Sequence, residues 1–380
     1  MNFTRRALLG ASLCLALASG VQAQKPAGQL VYIGMHGDKI TAARFDPAKG
    51  TLESIGPVAG NARPTWGLRM PGQPVIFFNE EAGNGGDAQG GVQAYRVNTA
   101  TGALDKISDV RAGGGGTTHL WYDAPSRTML AANYGGGSLA TIPVGADGTL
   151  GAVASLTKFI GSGPHKRQGS PHAHGVSVDP SGKWALVSDL GSDRVWVLPF
   201  DRKTGKVGAY DATSPQHYVA PFGTGPRHMA WSPVRPVLYV ADELTADVDT
   251  LAWDAVKGRL TLVQSLSTNA AGFKGEASAS EVAVSRNGRF VYVANRGDST
   301  IVVHKVDPKT GALTRIQRLS SGGRMPWHFT LDGTGRWLLA ANRDSNRVNV
   351  LAINPVTGML SDSGHSLETK QPVHVLMSGL

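Results

Sequence analysis

Apolar and polar residues alternate in short runs along this chain, a pattern that predicts antiparallel β-strands. One stretch shows the arrangement clearly, with runs at 173–178, 184–189 and 194–200 that are separated by turn residues. A period of two, rich in β-branched and aromatic residues and bounded by Pro, Ser and Gly, is typical of half-buried strands. A shorter fourth run follows the third, so we expect four strands in each unit.

A turn of nearly constant sequence recurs seven times: an Asp or Asn, a short gap, a Gly, and then Leu or Val. The seven copies begin at Asp46, Asn98, Asp147, Asp201, Asp254, Asp307 and Asn354. Units of roughly 45 to 55 residues that each hold several strands are typical of a radial β array. The sequence therefore predicts an all-β fold, a seven-bladed β-propeller.

The two ends of the repeat predict how the ring closes. Residues 30–34 form a strand with no inner partner before them, and residues 371–376 form a strand with no blade after them. Pairing these strands inside the first blade would close the ring and remove two open sheet edges. No linker interrupts the repeat, so we expect residues 24–380 to form a single domain.

The first 23 residues have the pattern of an export signal rather than of the fold. Arg5 and Arg6 precede an apolar stretch at 7–18, and Val21-Gln22-Ala23 is a small-x-small cleavage pattern. The paired arginines resemble a twin-arginine signal, with an ordinary secretory signal as the alternative. We expect a periplasmic or secreted protein that has no membrane attachment after cleavage.

Composition narrows the possible partners. The only cysteine, Cys14, lies within the expected signal, so the mature chain would have no thiol or disulfide. The net charge is +9, of which Arg5 and Arg6 supply two. No basic run with interleaved aromatic residues is present, which argues against nucleic acid and favours a small anionic ligand. We expect a monomer without a cofactor.

Superimposing the repeats shows which side chains share one end of the central channel. Aligned on the turn between the first two strands, six units place an Asn or Asp eight or nine residues after the turn. Six residues before the same turn, in the units that keep the nine-residue spacing, stand Thr118, His174, Arg227, Ser280 and Trp327. Because these residues begin the innermost strands, we expect them around one mouth of the channel.

A second ring follows the Asn or Asp positions and begins the loops at the same mouth. It contains Glu80, Tyr134, Leu190, Glu243, Arg296 and Arg343. Two cations, an imidazole and a carboxylate that converge on a concave surface make an anion site with an acid/base pair. Solvated strand ends and ordinary turn residues are the structural alternative for any single position.

We predict four catalytic residues and six substrate-binding residues. The catalytic residues are His174, Glu243, Arg227 and Arg296. The substrate-binding residues are His172, His228, Tyr134, Glu281, Trp327 and Arg343.

Several segments at these positions resemble the lactonase family of seven-bladed propellers, which includes 6-phosphogluconolactonases of the propeller type and fungal carboxymuconate cyclase. The segments are 132–138, 170–174, 225–229, 242–244, 292–297 and 371–373. The resemblance spans essentially the whole mature chain. It implies hydrolysis of a sugar-acid lactone by a His, two Arg and a Glu, which correspond to His174, Arg227, Arg296 and Glu243. His172 is the alternative for the His.

The chain departs from the family pattern at three points. Asp242 stands where Asn is usual, and Trp327 replaces a basic residue. Export would also separate the protein from the cytoplasmic pool of sugar phosphates, which weighs against 6-phosphogluconolactone as the physiological substrate.

Lactone hydrolysis needs an activated water and stabilisation of an oxyanion. Neutral His174 would take the water proton. Glu243 would orient that His, share the base role or protonate the leaving alkoxide. Arg227 and Arg296 would hold a carboxylate or phosphate of the substrate, or the oxyanion, in charge-assisted hydrogen bonds.

Three alternatives to metal-free hydrolysis stay open. His172 and His174, two residues apart on a strand, could bind zinc. The propeller could be a non-enzymatic binding module of the periplasm or cell surface, because residues 292–295 resemble repeats of surface-layer propellers. The same residues could also run the reverse reaction, as a muconate-type lactonising cyclase.

Overall fold

The computed structural model describes residues 28–84, 88–208 and 217–380. These residues form 29 β-strands and one 3₁₀ turn, Arg343–Ser345, and no α-helix. The strands make seven antiparallel sheets, so the predicted seven-bladed β-propeller is confirmed. No helix within the described ranges is long and apolar enough to cross a membrane. The expected export signal, residues 1–23 with Cys14, lies outside the described residues.

The first four blades contain β1 to β16 together with the C-terminal strand. Blade 1 contains β1 (Gln29–Met35), β2 (Lys39–Asp46), β3 (Thr51–Gly60) and the C-terminal β29 (Pro372–Met377). Blade 2 contains β4 (Gly67–Arg69), β5 (Val75–Glu80), β6 (Gly91–Val97) and β7 (Leu104–Arg111). Blade 3 contains β8 (Thr117–Asp123), β9 (Thr128–Asn133), β10 (Ser138–Pro143) and β11 (Ser155–Lys158). Blade 4 contains β12 (Ala173–Val178), β13 (Trp184–Asp189), β14 (Arg194–Asp201), β15 (Lys206–Val207) and β16 (His217–Val219).

The last three blades are regular. Blade 5 contains β17 (Pro226–Trp231), β18 (Val237–Asp242), β19 (Asp247–Asp254) and β20 (Arg259–Ser267). Blade 6 contains β21 (Ala279–Val284), β22 (Phe290–Asn295), β23 (Thr300–Val306) and β24 (Leu313–Ser320). Blade 7 contains β25 (Pro326–Leu331), β26 (Trp337–Asn342), β27 (Arg347–Ile353) and β28 (Leu360–Glu368).

The ring closes in blade 1, as the sequence predicts. Strand β29 pairs antiparallel with β1, with Ile33 opposite Val375 and Val31 opposite Met377. The strand order of this blade is β29-β1-β2-β3, so the C-terminal strand is innermost. The first and last strands therefore hold each other, and neither leaves an open inner edge.

Blade 4 departs from the expected four strands. Two short strands divide the outer edge of β14 between them: β15 pairs with Phe200 and Asp201, and β16 pairs with residues 194–196. The other six blades have four strands each among the described residues.

The hydrophobic core lies between neighbouring blades. Leu130 and Leu139 of blade 3, for example, belong to one buried cluster with Val187 and Trp196 of blade 4. Each sheet is therefore apolar on both faces, and every blade depends on its neighbours for the burial of its side chains.

The recurrent turn joins the third and fourth strands and also contacts the preceding blade. Its glycines have positive φ, for example 79° at Gly311 and 73° at Gly358. The hydroxyl of Tyr239 in blade 5 donates to the carbonyl of Gly311 in blade 6 at 2.9 Å, and Tyr292 in blade 6 makes the same bond to Gly358 in blade 7. A Cβ on Gly358 would stand 2.4 Å from the Phe290 ring. The turn therefore needs Gly for backbone conformation and for close packing.

Candidate active site

The innermost strands deliver their functional side chains through β-bulges. Five of these strands lose register with their partner near their first residues. The residues at the bulges are Thr118, His174, Arg227, Ser280 with Glu281, and Trp327. A bulge inserts an extra residue into one strand and changes the direction of its side chain. The residues that the superimposed repeats place around the channel mouth are therefore the bulge residues of the innermost strands.

A pocket of about 450 Å³ lies at this mouth of the channel. Seven of the ten predicted site residues line it: Tyr134, His174, Arg227, Glu243, Arg296, Trp327 and Arg343. His172, His228 and Glu281 do not line this pocket. Among the described residues, five arginines and three glutamates line the pocket, an excess of two positive charges that suits an anionic ligand.

Glu243 is the centre of the pocket's charge network. Its Oε2 accepts from Nε of Arg227 at 2.8 Å, and its Oε1 pairs with Nη2 of Arg296 at 2.9 Å. Nη1 of Arg167 also donates to Oε1. The Nε2 atom of His174 lies 3.7 Å from Oε2. One carboxylate therefore holds three guanidinium groups in place beside an imidazole.

The arginines fix the protonation state of Glu243. Burial alone would raise the pKa of this carboxyl, but the charges of Arg296, Arg227 and Arg167 outweigh burial and hold the pKa well below its ordinary value. Burial and the nearby Arg296 lower the pKa of Arg227 to about 10, even with the opposing charge of Glu243. Both groups are ionised at neutral pH, so Glu243 is a poor proton donor.

His174 is a buried, neutral imidazole. Burial and the charge of Arg227 lower its pKa well below the ordinary value, although Glu243 acts in the opposite direction. Its Nδ1 atom is buried and has no hydrogen-bond partner. A neutral imidazole next to an open pocket is able to accept a proton.

Tyr134 and His172 support one wall of the pocket. The two rings stack with centroids 4.3 Å apart, and the Nδ1 atom of His172 lies 2.9 Å from the carbonyl oxygen of Tyr134. The hydroxyl of Tyr134 accepts from Nη2 of Arg167 at 3.0 Å. His172, predicted to bind substrate, does not itself line the pocket, and it contacts Tyr134, which does.

Trp327 occupies the position where the family resemblance implies a basic residue. The guanidinium carbons of Arg296 and Arg343 each lie 4.6 Å from the centroid of its ring. The indole therefore holds two guanidinium groups at this position through cation–π contacts. Arg343 also pairs with Asp344 at 2.7 Å.

His228 and Glu281, which we also predict to bind substrate, do not line this pocket and instead form a buried cluster with His328. Oε2 of Glu281 is 2.9 Å from Nδ1 of His228 and 3.4 Å from Nε2 of His328. Burial raises the pKa of Glu281 to about 8, partly opposed by Arg227. The imidazole rings of His228 and His328 also pack against the indole of Trp66. The carboxyl is mostly protonated at neutral pH and can donate to His228.

The Asn and Asp residues of the repeat are structural. Asn79, for instance, is fully buried and donates to the carbonyl of Thr117 in the next blade at 2.7 Å. Asp242 differs, because both of its carboxylate oxygens are buried without a hydrogen-bond partner. Burial and the nearby Asp249 raise the pKa of Asp242 well above its ordinary value.

Sequence reasoning missed four charged residues of the pocket: Arg63, Glu81, Arg167 and Glu276. Each lies in a loop outside the repeated strands, where the repeat offset gives no information. For Arg167 the sequence offers one signal, a basic His-Lys-Arg run shortly before the inner strand β12.

The structure does not assemble the zinc site considered for His172 and His174. No three His, Cys, Asp or Glu side chains converge into a possible metal site in the part of the chain that the structure describes. His172 precedes β12, and His174 is the bulge residue, so the two do not follow the simple alternation of a strand.

Comparisons with known proteins agree with this architecture. A family model described as "Lactonase, 7-bladed beta-propeller" matches residues 30–377. The 6-phosphogluconolactonase of Bacillus subtilis is 31% identical over 80% of this chain and 85% of its own length. A probable 6-phosphogluconolactonase of Arthroderma benhamiae is 28% identical over 84% of this chain and 80% of its own length.

A solved structure agrees with these sequence comparisons. The periplasmic gluconolactonase PpgL of Pseudomonas aeruginosa superimposes with a TM-score of 0.85 at 31% sequence identity. The superposition covers 91% of this chain and 98% of that one. The family match, the fold and the identity together lead to one conclusion: this chain belongs to the seven-bladed β-propeller lactonase family.

Proposed function

We propose that this protein is a lactone hydrolase that opens a sugar-acid lactone in the pocket around Glu243. The observation that carries the proposal is the contact of a neutral, buried His174 with a carboxylate that holds three arginines. Relatives named for 6-phosphogluconolactone and gluconolactone hydrolysis support the same reaction class.

The chemistry follows from the protonation states. A water molecule attacks the lactone carbonyl carbon, and Nε2 of His174 takes its proton. Negative charge develops on the carbonyl oxygen, where the guanidinium groups stabilise it. The ring C–O bond then breaks, and the proton on His174 passes to the leaving alkoxide. Glu243 stays ionised throughout, so its role is to orient the arginines and the imidazole rather than to donate a proton.

The test is ring opening of aldonolactones by the purified protein after treatment with a chelator. We expect turnover above the uncatalysed rate, and a rate loss of roughly 10² or more for His174→Gln, as removal of an acid/base group usually causes. Phosphorylated and unphosphorylated lactones are assayed side by side to identify the substrate. Muconolactones are assayed in both directions to detect a cyclase, and absence of turnover on the whole panel would favour a binding module.

We also propose that residues 1–23 direct export and that residues 24–380 act as a single periplasmic domain. The apolar stretch that follows Arg5 and Arg6 supports export, and one solved relative is described as periplasmic. Fractionation of cells that express the full chain tests the location. Size-exclusion chromatography with light scattering tests the expected monomer.

A further inference from the structure

The pocket holds more positive charge around Glu243 than one carboxylate needs. Arg227 and Arg296 already engage its two oxygens, and Arg167 is a third guanidinium on the same group. His174 is neutral and does not change this balance of charge. An uncompensated charge in a buried site is costly unless a partner neutralises it. Three guanidinium groups on one carboxylate leave a surplus of two positive charges, which indicates that the site takes an anionic ligand.

The three arginines differ in their exposure to the pocket. The side chains of Arg227 and Arg296 are 3% and 5% exposed, whereas that of Arg167 is 40% exposed. The two buried arginines also donate to backbone carbonyls, Arg227 to Ser280 at 2.6 Å and Arg296 to Ala279 at 3.1 Å. Arg167 is therefore the member of the trio whose side chain is most accessible to a ligand.

The backbone that carries Arg167 is held firmly, although it lies in the loop between β11 and β12. The neighbouring Gln168 is fully buried. Its side-chain amide donates to the carbonyl of Leu190 at 2.8 Å and to Oδ1 of Asp193 at 2.6 Å. The Arg167 backbone N–H lies 3.2 Å from Nδ1 of His165.

Asp193 connects this loop to the strands that carry the other charged groups. Its Oδ1 atom also accepts from the backbone N–H of Gly225 at 2.9 Å. The carbonyl of Gly225 in turn accepts from the backbone N–H of Glu243 at 2.8 Å. These hydrogen bonds fix the backbone near Arg167, and the bonds of its guanidinium to Glu243 and Tyr134 hold that group at the pocket, the arrangement of a pre-organised binding group.

We propose that Arg167 is a substrate-binding arginine of this pocket, and that it contacts the oxygen atoms that become the carboxylate of the sugar acid. The inference rests on the proposed lactonase function for its substrate class. The guanidinium donates one N–H to Glu243 and one to Tyr134, and its remaining N–H groups can form charge-assisted hydrogen bonds to the ligand.

The experiment compares the wild type with Arg167→Met and Arg167→Lys, with gluconate as the binding probe in calorimetry and an aldonolactone as the kinetic substrate. We expect Arg167→Met to weaken gluconate binding and to raise KM by roughly 10- to 100-fold, the effect of losing a charge-assisted hydrogen bond. Arg167→Lys keeps the charge but not the planar fork, so it restores part of the affinity.

A second readout separates binding from structure. The charge of Arg167 contributes to the lowering of the His174 pKa. Its removal therefore moves the acidic limb of the kcat/KM profile of Arg167→Met to higher pH, whereas Arg167→Lys keeps the charge and retains the wild-type limb. The matched control is Arg202→Met, because Arg202 is 35% exposed and is paired with the carboxylate of Asp123 outside the pocket. This control keeps the wild-type gluconate affinity and pH profile.

The outcomes distinguish this inference from the proposed function. If the wild type opens lactones and Arg167→Met retains its KM and its gluconate affinity, the role of Arg167 is wrong and the lactonase proposal stands. If the wild type binds gluconate through Arg167 but opens no lactone, the lactonase proposal is wrong and Arg167 is an anion-binding residue. If the wild type does not bind gluconate, the role assigned to Arg167 is overturned.

Discussion

The Nε–H of Arg227 donates to Oε2 of Glu243 over 2.8 Å, and neither side chain is more than 4% exposed. The two residues come from neighbouring segments of blade 5, the bulge of β17 and the end of β18. Because both charges are buried, the loss of Glu243 leaves Arg227 without its counterion, whereas the loss of Arg227 still leaves Glu243 paired with Arg296 and Arg167.

Replacing Glu243 should therefore damage both stability and activity. We expect Glu243→Gln to lower the free energy of unfolding by about 3–5 kcal/mol, the usual cost of breaking a buried pair, because three guanidinium groups lose their counterion. Activity should fall as well. Chemical denaturation and lactone kinetics measure the two effects. The control is Glu368→Gln, since Glu368 is 82% exposed in its pair with Arg347 and should change stability by less than about 1 kcal/mol.

The pH dependence of catalysis should follow His174. Burial and Arg227 hold its pKa well below 6.5, and the base must be neutral to accept a proton. Activity is therefore complete at pH 6.5 and above and falls only at distinctly lower pH, as His174 becomes protonated. A kcat/KM profile from pH 4 to 8 tests this prediction, and an acidic limb centred at or above 6.5 would contradict it.

Asp242→Asn should stabilise the protein at neutral pH. Burial raises the pKa of Asp242 in the folded state, so the folded protein retains a proton that the unfolded chain loses as the pH rises above about 4. Wild-type stability therefore falls over this pH range, whereas the Asn variant is unaffected. We expect a gain of roughly 1–3 kcal/mol at pH 7, the usual cost of an unsatisfied buried polar group.

Denaturation at pH 7 and again near pH 3.5 tests the Asp242 prediction. The gain should shrink at the lower pH, where both states carry the proton. Asn occupies the equivalent position in four other blades, at Asn79, Asn133, Asn295 and Asn342, so the fold accommodates it. An Asp242→Asn protein that is less stable than the wild type at pH 7 would refute the destabilising role assigned to this carboxyl.

Trp327 should matter for substrate affinity through the two arginines that contact it. We expect Trp327→Ala to raise KM by roughly 2- to 30-fold, because a cation–π contact contributes about 0.5–2 kcal/mol to the position of each guanidinium. Trp327→Phe should lose less, since a phenyl ring still offers a face to a cation. Equal KM values for wild type and Trp327→Ala would show that the indole does not position these arginines.

Much of the fold was predictable from the sequence because the repeat has a physical cause. The recurrent turn needs Gly for positive φ and for contact with the preceding blade, as at Gly358, so its spacing reports the blade period. The repeat offset also brought His174 and Arg227 to one ring. The bulges that turn these side chains into the mouth left no separate mark in the sequence.

The features of the site that the sequence pattern does not reveal depend on tertiary contacts. Arg167 reaches Glu243 from a loop, and its position depends on Gln168 and Asp193, which no local pattern connects. His228 and Glu281 each follow a residue of the mouth by one position, and their side chains pair with each other in a buried cluster instead of lining the pocket. Strand alternation predicts which way a side chain points only when the strand register is known to within one residue.

The most direct test of the proposed lactonase mechanism is the rate of aldonolactone ring opening by the chelator-treated wild type and by His174→Gln, with Arg202→Met as the control. We expect turnover by the wild type and by Arg202→Met, and a loss of roughly 10² or more for His174→Gln. Equal rates for wild type and His174→Gln, or no turnover by the folded wild type on phosphorylated and unphosphorylated lactones, would contradict the mechanism.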